Sequence, residues 1–199
     1  MSDSLFDDSV SEVPELIVNR LFFDERGTFQ EMYSAPKHKW PVAQVNHSYS
    51  VVGTIRGMHW QIPPADIYKY VTVVLGRIED VVVDLRLDSK TFGRWHKYVL
   101  SDGVFEGDAH GWERENYRAS LYVPSGFAHG FGVLTHQAHV VYMQNKPYCP
   151  KSERSFNPED PNVGIFWRTS NWTSKRRIIS EKDKAAPLLK DVPKHDLFF

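Results

Sequence analysis

Tyr70-Val71-Thr72-Val73-Val74-Leu75, then Gly76-Arg77, then Val81-Val82-Val83: on this stretch the reading of the fold turns. The runs are short, β-branched or aromatic, and bounded by turn residues, which is strand chemistry. Gly76-Arg77 reads as a tight hairpin turn between two paired strands. Val140-Val141-Tyr142 repeats the pattern, and Thr135-His136-Gln137 reads as a second hairpin loop, between residues 131–134 and 138–144. Gly and Pro punctuate the chain at Pro63-Pro64, Gly93, Pro124-Ser125-Gly126 and Gly130. Many short strands with little helix between them predict an all-β protein, an antiparallel sandwich or barrel. Helical signal is confined to the C-terminal end. There Ser180-Glu181-Lys182-Asp183 reads as a capping box opening a short helix through Leu189, limited by Pro187.

The 199 residues suffice for one well-buried domain and are too few for two comfortable ones. Lys and Arg number 24 against 25 Asp and Glu, a net charge of -1, so no basic excess argues for nucleic acid. Cys149 is the one cysteine, which rules out an intrachain disulfide and fits a reducing compartment. The acidic opening MSDSLFDDSVSEVPEL has neither signal-peptide nor transit-peptide character. No run reaches the roughly 18 apolar residues of a membrane span. A soluble cytoplasmic protein is expected, with neither nucleic acid nor membrane as partner. Residues 1–18 read as an N-terminal extension of a single domain covering 1–199. Residues 102–117, polar and rich in Gly, Asp and Glu, read as a long inserted loop.

Along Gln44-Val45-Asn46-His47-Ser48-Tyr49-Ser50, uncharged hydrogen-bonding side chains alternate with Val45, His47 and Tyr49. A barrel with a polar, ligand-binding interior explains such a face, and so does a sheet whose polar face meets water. The segment Arg56-Gly57-Met58-His59-Trp60-Gln61 carries more. On a regular strand Arg56 and His59 would face opposite ways, but Gly57 between them permits a bulge that turns both toward one cavity. Lys69 then opens an otherwise apolar strand, where a charge is either paired or functional.

Taken in order, several motifs resemble the dTDP-4-dehydrorhamnose 3,5-epimerase family over roughly residues 20 to 190. They are the run from Phe23 to Glu31, Gln44-x-Asn46-x-Ser48, Arg56 to Gln61, Lys69, residues 80–86 with Thr91-Phe92-Gly93, Pro124 to Phe131, Tyr142, Asp160-Pro161 with Ile165-Phe166-Trp167, and Ser180 to Leu189. The resemblance implies a cupin-type antiparallel β-sandwich or jelly-roll barrel with short C-terminal helices, working as a homodimer. It implies His59 as catalytic base, Asp183 as its carboxylate partner, Lys69 beside the ketone oxygen and Tyr142 as the acid on the opposite face. It places Arg26, Phe29, Glu31, Gln44, Asn46, Arg56, His129, Tyr148 and Glu153 where the family contacts its nucleotide-sugar substrate. The expected reaction is epimerisation at C3 and C5 of dTDP-4-keto-6-deoxyglucose, giving dTDP-4-keto-L-rhamnose, with no cofactor and no metal. A C3-only or other-nucleotide 4-keto-6-deoxyhexose epimerase and a non-catalytic sugar-nucleotide-binding cupin are the alternatives.

The chemistry asks for these residue types. A proton beside a ketone is weakly acidic, and its removal puts charge on the carbonyl oxygen. A histidine near neutral pKa is the natural base, a carboxylate on its other nitrogen fixes the tautomer, and cations hold the oxygen. Each residue also has a plainer reading. Asp183 sits where an acidic residue stabilises a helix start, His129 lies in a glycine-flanked turn, and Tyr142 could be core packing. A metal cupin would need a third ligand, but Gln61 stands in place of a second histidine. Two departures from the family are visible. The segment from Asp102 is longer than the turn expected there, and Pro147-Tyr148 replaces a pair of aromatic residues.

Overall fold

The computed structural model describes residues 11–34, 40–103, 117–170 and 177–199. Among these residues eleven strands run in order: β1 Glu15–Asp24, β2 Gly27–Gln30, β3 Gln44–Val51, β4 Ile55–Gln61, β5 Lys69–Leu75 and β6 Arg77–Asp84, followed by β7 Trp95–Ser101, β8 Tyr117–Val123, β9 Phe127–Val133, β10 Gln137–Gln144 and β11 Glu153–Ser155. They form a six-stranded sheet, β2-β1-β8-β5-β10-β3, packed on a five-stranded one, β11-β4-β9-β6-β7. All strand pairs are antiparallel. This is the antiparallel sandwich that the strand pattern predicts, of the cupin type that the family resemblance implies.

The two turns read as hairpins are not hairpins. β5 and β10 pair in the larger sheet and β6 and β9 pair in the smaller, so both turns cross between sheets. They lie side by side: Arg77 N–H donates to Thr135 Oγ1 at 2.9 Å. Gly76 sits at φ 85°, and a Cβ there would stand 2.2 Å from the Gln137 carbonyl oxygen. Turn residues mark where a chain reverses, but not which strand receives it.

The apolar residues fill the space between the sheets and two outer faces. Val71, Val73, Ile78, Val82, Leu121, Phe131 and Val140 make the inter-sheet core. Trp167, Phe156, Ile179, Leu189 and Leu197 from the C-terminal third cover the far side of the smaller sheet. Trp60 anchors that cover by donating its indole N–H to the Asp196 carbonyl at 2.8 Å. Trp40, with Met32 and Tyr33, covers part of the larger sheet over Tyr70 and Tyr122.

The C-terminal helix is shorter than expected. α1 spans Glu181–Lys184 only, and 3-10 turns follow at Leu189–Asp191 and Lys194–Asp196. Pro187 has no N–H to continue a helix, and its carbonyl accepts from Asn157 instead. β1 begins inside the stretch read as an extension, with Leu16 paired to Leu121 and Val18 to Ala119. Of the long loop, residues 104–116 lie outside the described residues.

Candidate active site

The site begins with one extra residue. In the β4–β9 ladder Arg56 lies opposite Phe131 and His59 opposite His129, so three steps on β4 match two on β9. This bulge shifts strand parity: Met58 and Trp60 join the outer core, while Arg56 and His59 both face a cavity of about 700 Å³ between the sheets. Gly57, at φ 110°, makes it possible, because a Cβ there would stand 2.6 Å from Gly130 Cα.

His59 Nε2 lies 2.7 Å from Asp183 Oδ1. The Asp183 backbone N–H meanwhile donates to Ser180 Oγ at 3.1 Å. Ser180 thus caps the start of α1 through the Asp183 backbone, which leaves the Asp183 side chain to bind the imidazole. Burial pushes its carboxyl up, but hydrogen bonds from His59 and Ser180 outweigh that and hold it below the usual range. An ionised carboxylate only accepts, so Nε2 carries the hydrogen and the neutral ring keeps its lone pair on Nδ1.

Lys69, from the start of β5, reaches the same cavity. Burial depresses its ammonium to about 8, against the opposing pull of Asp80 and Glu153. Tyr142 enters from β10, its hydroxyl pushed up by burial and drawn back by the charge of Arg56. Arg56 is held by Ser50 Oγ at 2.9 Å from Nε.

The polar face of β3 turns inward. Gln44 and Asn46 line the cavity: Gln44 Nε2 donates to Asn46 Oδ1 at 2.8 Å, and Asn46 Nδ2 donates to Gln144 Oε1 at 3.4 Å. Val45 and Tyr49 are exposed on the outer face. Tyr148 O–H donates to Glu153 Oε2 at 2.9 Å, and the Lys182 ammonium pairs with the same oxygen. His129 lines the cavity and bonds buried Asp80 Oδ1 through Nε2 at 2.8 Å. Gln61 is spent locally, donating to the Ala65 carbonyl and accepting from Cys149 N–H. Among the described residues no three His, Cys, Asp or Glu side chains are grouped to share a metal ion.

Three expected residues are elsewhere. Arg26, Phe29 and Glu31 lie at or beside the β1–β2 hairpin, at the opposite edge of the larger sheet from β3, and none lines the cavity. Arg26 pairs with Asp24 at 2.5 Å, and Phe29 is 68% exposed. Conversely, Gln144 and Lys182 line the cavity although no sequence motif marks them as site residues, and Asp80 binds His129 from behind the cavity wall. Asp80 had a signal: an acidic residue within Ile78-Glu79-Asp80-Val81-Val82-Val83, a run otherwise fit for burial.

A buried carboxylate–imidazole pair, a desolvated lysine and a tyrosine around one polar cavity define an acid–base enzyme built on a cupin-type sandwich. Comparison with known proteins makes the assignment specific. The chain belongs to the dTDP-4-dehydrorhamnose 3,5-epimerase family, whose profile matches residues 10–191. A dTDP-4-dehydrorhamnose 3,5-epimerase of Streptomyces griseus is 37% identical over 185 residues, 89% of this chain and 83% of that protein. The crystal structure of dTDP-6-deoxy-D-glucose-3,5-epimerase from Legionella pneumophila, in complex with dTDP-4-keto-L-rhamnose, superposes with a TM-score of 0.79 at 33% identity. It covers 97% of this chain and 96% of its own. A 3'-monoepimerase from Streptomyces bikiniensis in complex with dTDP-quinovose is also similar, with a TM-score of 0.75 at 33% identity over 89% of this chain and 84% of that one.

Proposed function

We propose that this chain epimerises C3 and C5 of dTDP-4-keto-6-deoxyglucose to give dTDP-4-keto-L-rhamnose. The observation that carries the reading is the 2.7 Å contact from Asp183 to His59 in a cavity shared with Lys69 and Tyr142. His59 Nδ1 takes the proton from the carbon beside the ketone, and the C–H electron pair moves to the carbonyl oxygen. Lys69 stabilises that oxygen; a single well-placed donor is worth about 3 kcal/mol. Tyr142 returns a proton from the other face, which inverts the carbon. The substrate's own ketone accepts the electrons, so no cofactor is consumed. Gln44, Asn46, Arg56, His129, Tyr148 and Glu153 bind the nucleotide sugar, the arginine suiting a diphosphate.

The displaced hairpin supports a homodimer. Arg26, Phe29 and Glu31 cannot serve their own cavity from the far sheet edge, but a second copy can bring its hairpin there. Leu16, Val18, Phe22 and Phe23 are 48–63% exposed along the same ribbon, which is the surface such an interface would bury. The whole chain acts as one epimerase domain, and the lone Cys149 fits a cytoplasmic setting.

The 33% identity to a 3'-monoepimerase keeps a C3-only reaction as the second reading. Incubation with dTDP-4-keto-6-deoxyglucose in heavy water separates the readings by the ring positions labelled. Deuterium at C3 and C5 supports the double epimerase, deuterium at C3 alone the single one, and none refutes both.

A further inference from the structure

Asp80 is a charge where β6 should have none. It is fully buried between Ile78 and Val82, which point with it into the inter-sheet core. Oδ1 accepts from His129 Nε2 at 2.8 Å, while Oδ2 has no hydrogen-bond partner among the described residues. A buried carboxylate so poorly paired is expensive unless positive charge stands nearby. The register shows why this one stands where it does. Val82 lies opposite His129 in the β6–β9 ladder, so Asp80 is two residues along on the same face, and His129 is in turn the cross-strand neighbour of His59. Two carboxylate–imidazole pairs therefore stand side by side, one from α1 and one from beneath the cavity wall.

We infer that Asp80 is a positioning residue of this reaction: from behind the wall it fixes His129 and supplies the negative charge that keeps the Lys69 ammonium charged beside the substrate's oxygen. This rests on the epimerase reading above. An ionised Asp80 compels His129 to carry hydrogen on Nε2, which sets how the ring presents Nδ1.

The effect on Lys69 has a definite direction. Lys69 shares the cavity with Arg56 and His59 from β4, His129 from β9 and Tyr142 from β10. Glu153 from β11 and Lys182 and Asp183 from α1 complete the charged surroundings. The carboxylates that hold up its charge against burial are Asp80 first and Glu153 second. Glu153 is already shared by Lys182 and Tyr148, and Asp183 by His59. Asp80 gives one oxygen to His129, but its Oδ2 has no hydrogen-bond partner among the described residues, which leaves charge on this carboxylate to balance Lys69.

The test is the pH profile of solvent-deuterium exchange for wild type and Asp80→Asn, an amide of the same shape without the charge. In the wild type exchange falls as Lys69 loses its proton, near pH 8. Asp80→Asn moves that alkaline limb down by about one pH unit or more. A merely structural residue would scale the profile down at every pH without moving the limb, and an unmoved limb overturns the inference. Imidazole 15N spectra of the wild-type protein decide the matter even where the variant does not fold. His129 keeps hydrogen on Nε2 throughout the active range; a bare Nε2 overturns the proposal. A wild type that incorporates no deuterium would instead overturn the epimerase reading.

Discussion

Gly57 and Gly130 approach each other so closely that neither has room for a side chain. A Cβ on Gly57 would stand 2.6 Å from Gly130 Cα, and one on Gly130 would stand 2.6 Å from the Arg56 carbonyl oxygen. Because these obstacles are backbone atoms, they cannot swing aside. The contact is what lets β4 take its extra residue and aim Arg56 and His59 into the same space.

Gly57→Ala therefore adds left-handed strain to overpacking, about 3 kcal/mol in all. Gly27 is the control: it also has a positive φ, of 127°, but nothing lies within 4 Å of its Cβ position. Gly27→Ala should cost only the strain, about 1 kcal/mol. Urea denaturation of both variants checks this, and equal midpoints would remove the steric argument.

The carboxylate–imidazole pair makes a sharper claim. Asp183→Asn keeps the shape at α1 but can present an N–H to Nε2, favouring the tautomer whose lone pair faces the wrong way. Deuterium exchange should fall about 10³-fold or more, by analogy with hydrolytic triads, while dTDP binding stays within a factor of about three. His59→Ala should abolish exchange. Full exchange by His59→Ala would show that another group is the base.

Tyr142 separates proton removal from inversion. Burial keeps its hydroxyl protonated well into the alkaline range, so it is available as an acid where His59 is a base. Tyr142→Phe should lower net epimerisation about 100-fold, in the range of general-acid catalysis, and spare exchange at the original face. Product analysis beside exchange rates measures the split, and an equal loss in both would place Tyr142 with the base instead.

Much of this was legible beforehand, for reasons that particular residues make clear. Strand periodicity and turn residues gave the two-sheet class, and the spacing across Gly57 gave the bulge, because both are local. What failed was partnership. Gly76-Arg77 announced a turn, but its crossing to the other sheet depends on β10, about sixty residues away in sequence (Leu75 pairs with His139). Arg26 and Phe29 carried a family signature, yet the pairing of β1 with β2 and β8 puts their hairpin at the sheet edge away from the cavity of the same copy. Asp80 was hidden by its neighbours, since a strand that reads as buried invites attention to its valines. Pro187 limits the last helix, but the stop comes already at Lys184, where Asn157, distant in sequence, donates its side-chain amide to the Lys184 carbonyl and its backbone N–H to the Pro187 carbonyl.

Away from the cavity, Asp84 offers a test of how the turn after β6 is held. Its carboxylate accepts from Arg86 Nε and Nη2 at 3.0 and 2.9 Å, and from Ser89 and Thr91 hydroxyls at 2.7 Å each. Burial pushes this carboxyl up, but the four donors outweigh it and bring it down to about 2. A depressed folded-state value means the group is more acidic folded than unfolded, so its stabilisation is complete above about pH 4 and is lost as pH falls toward 2. The shift corresponds to about 2 kcal/mol at neutral pH. Asp84→Asn should remove that amount at pH 7 and flatten the stability profile between about pH 4 and pH 2, where the wild type loses it. Denaturant unfolding at a series of pH values measures both. If the variant matches the wild type at pH 7, or if the two profiles run parallel into acid, the Asp84 cluster does not hold this turn. The loss should leave deuterium exchange at neutral pH intact in the folded fraction, because no part of the cluster reaches the cavity that His59 and Asp183 share.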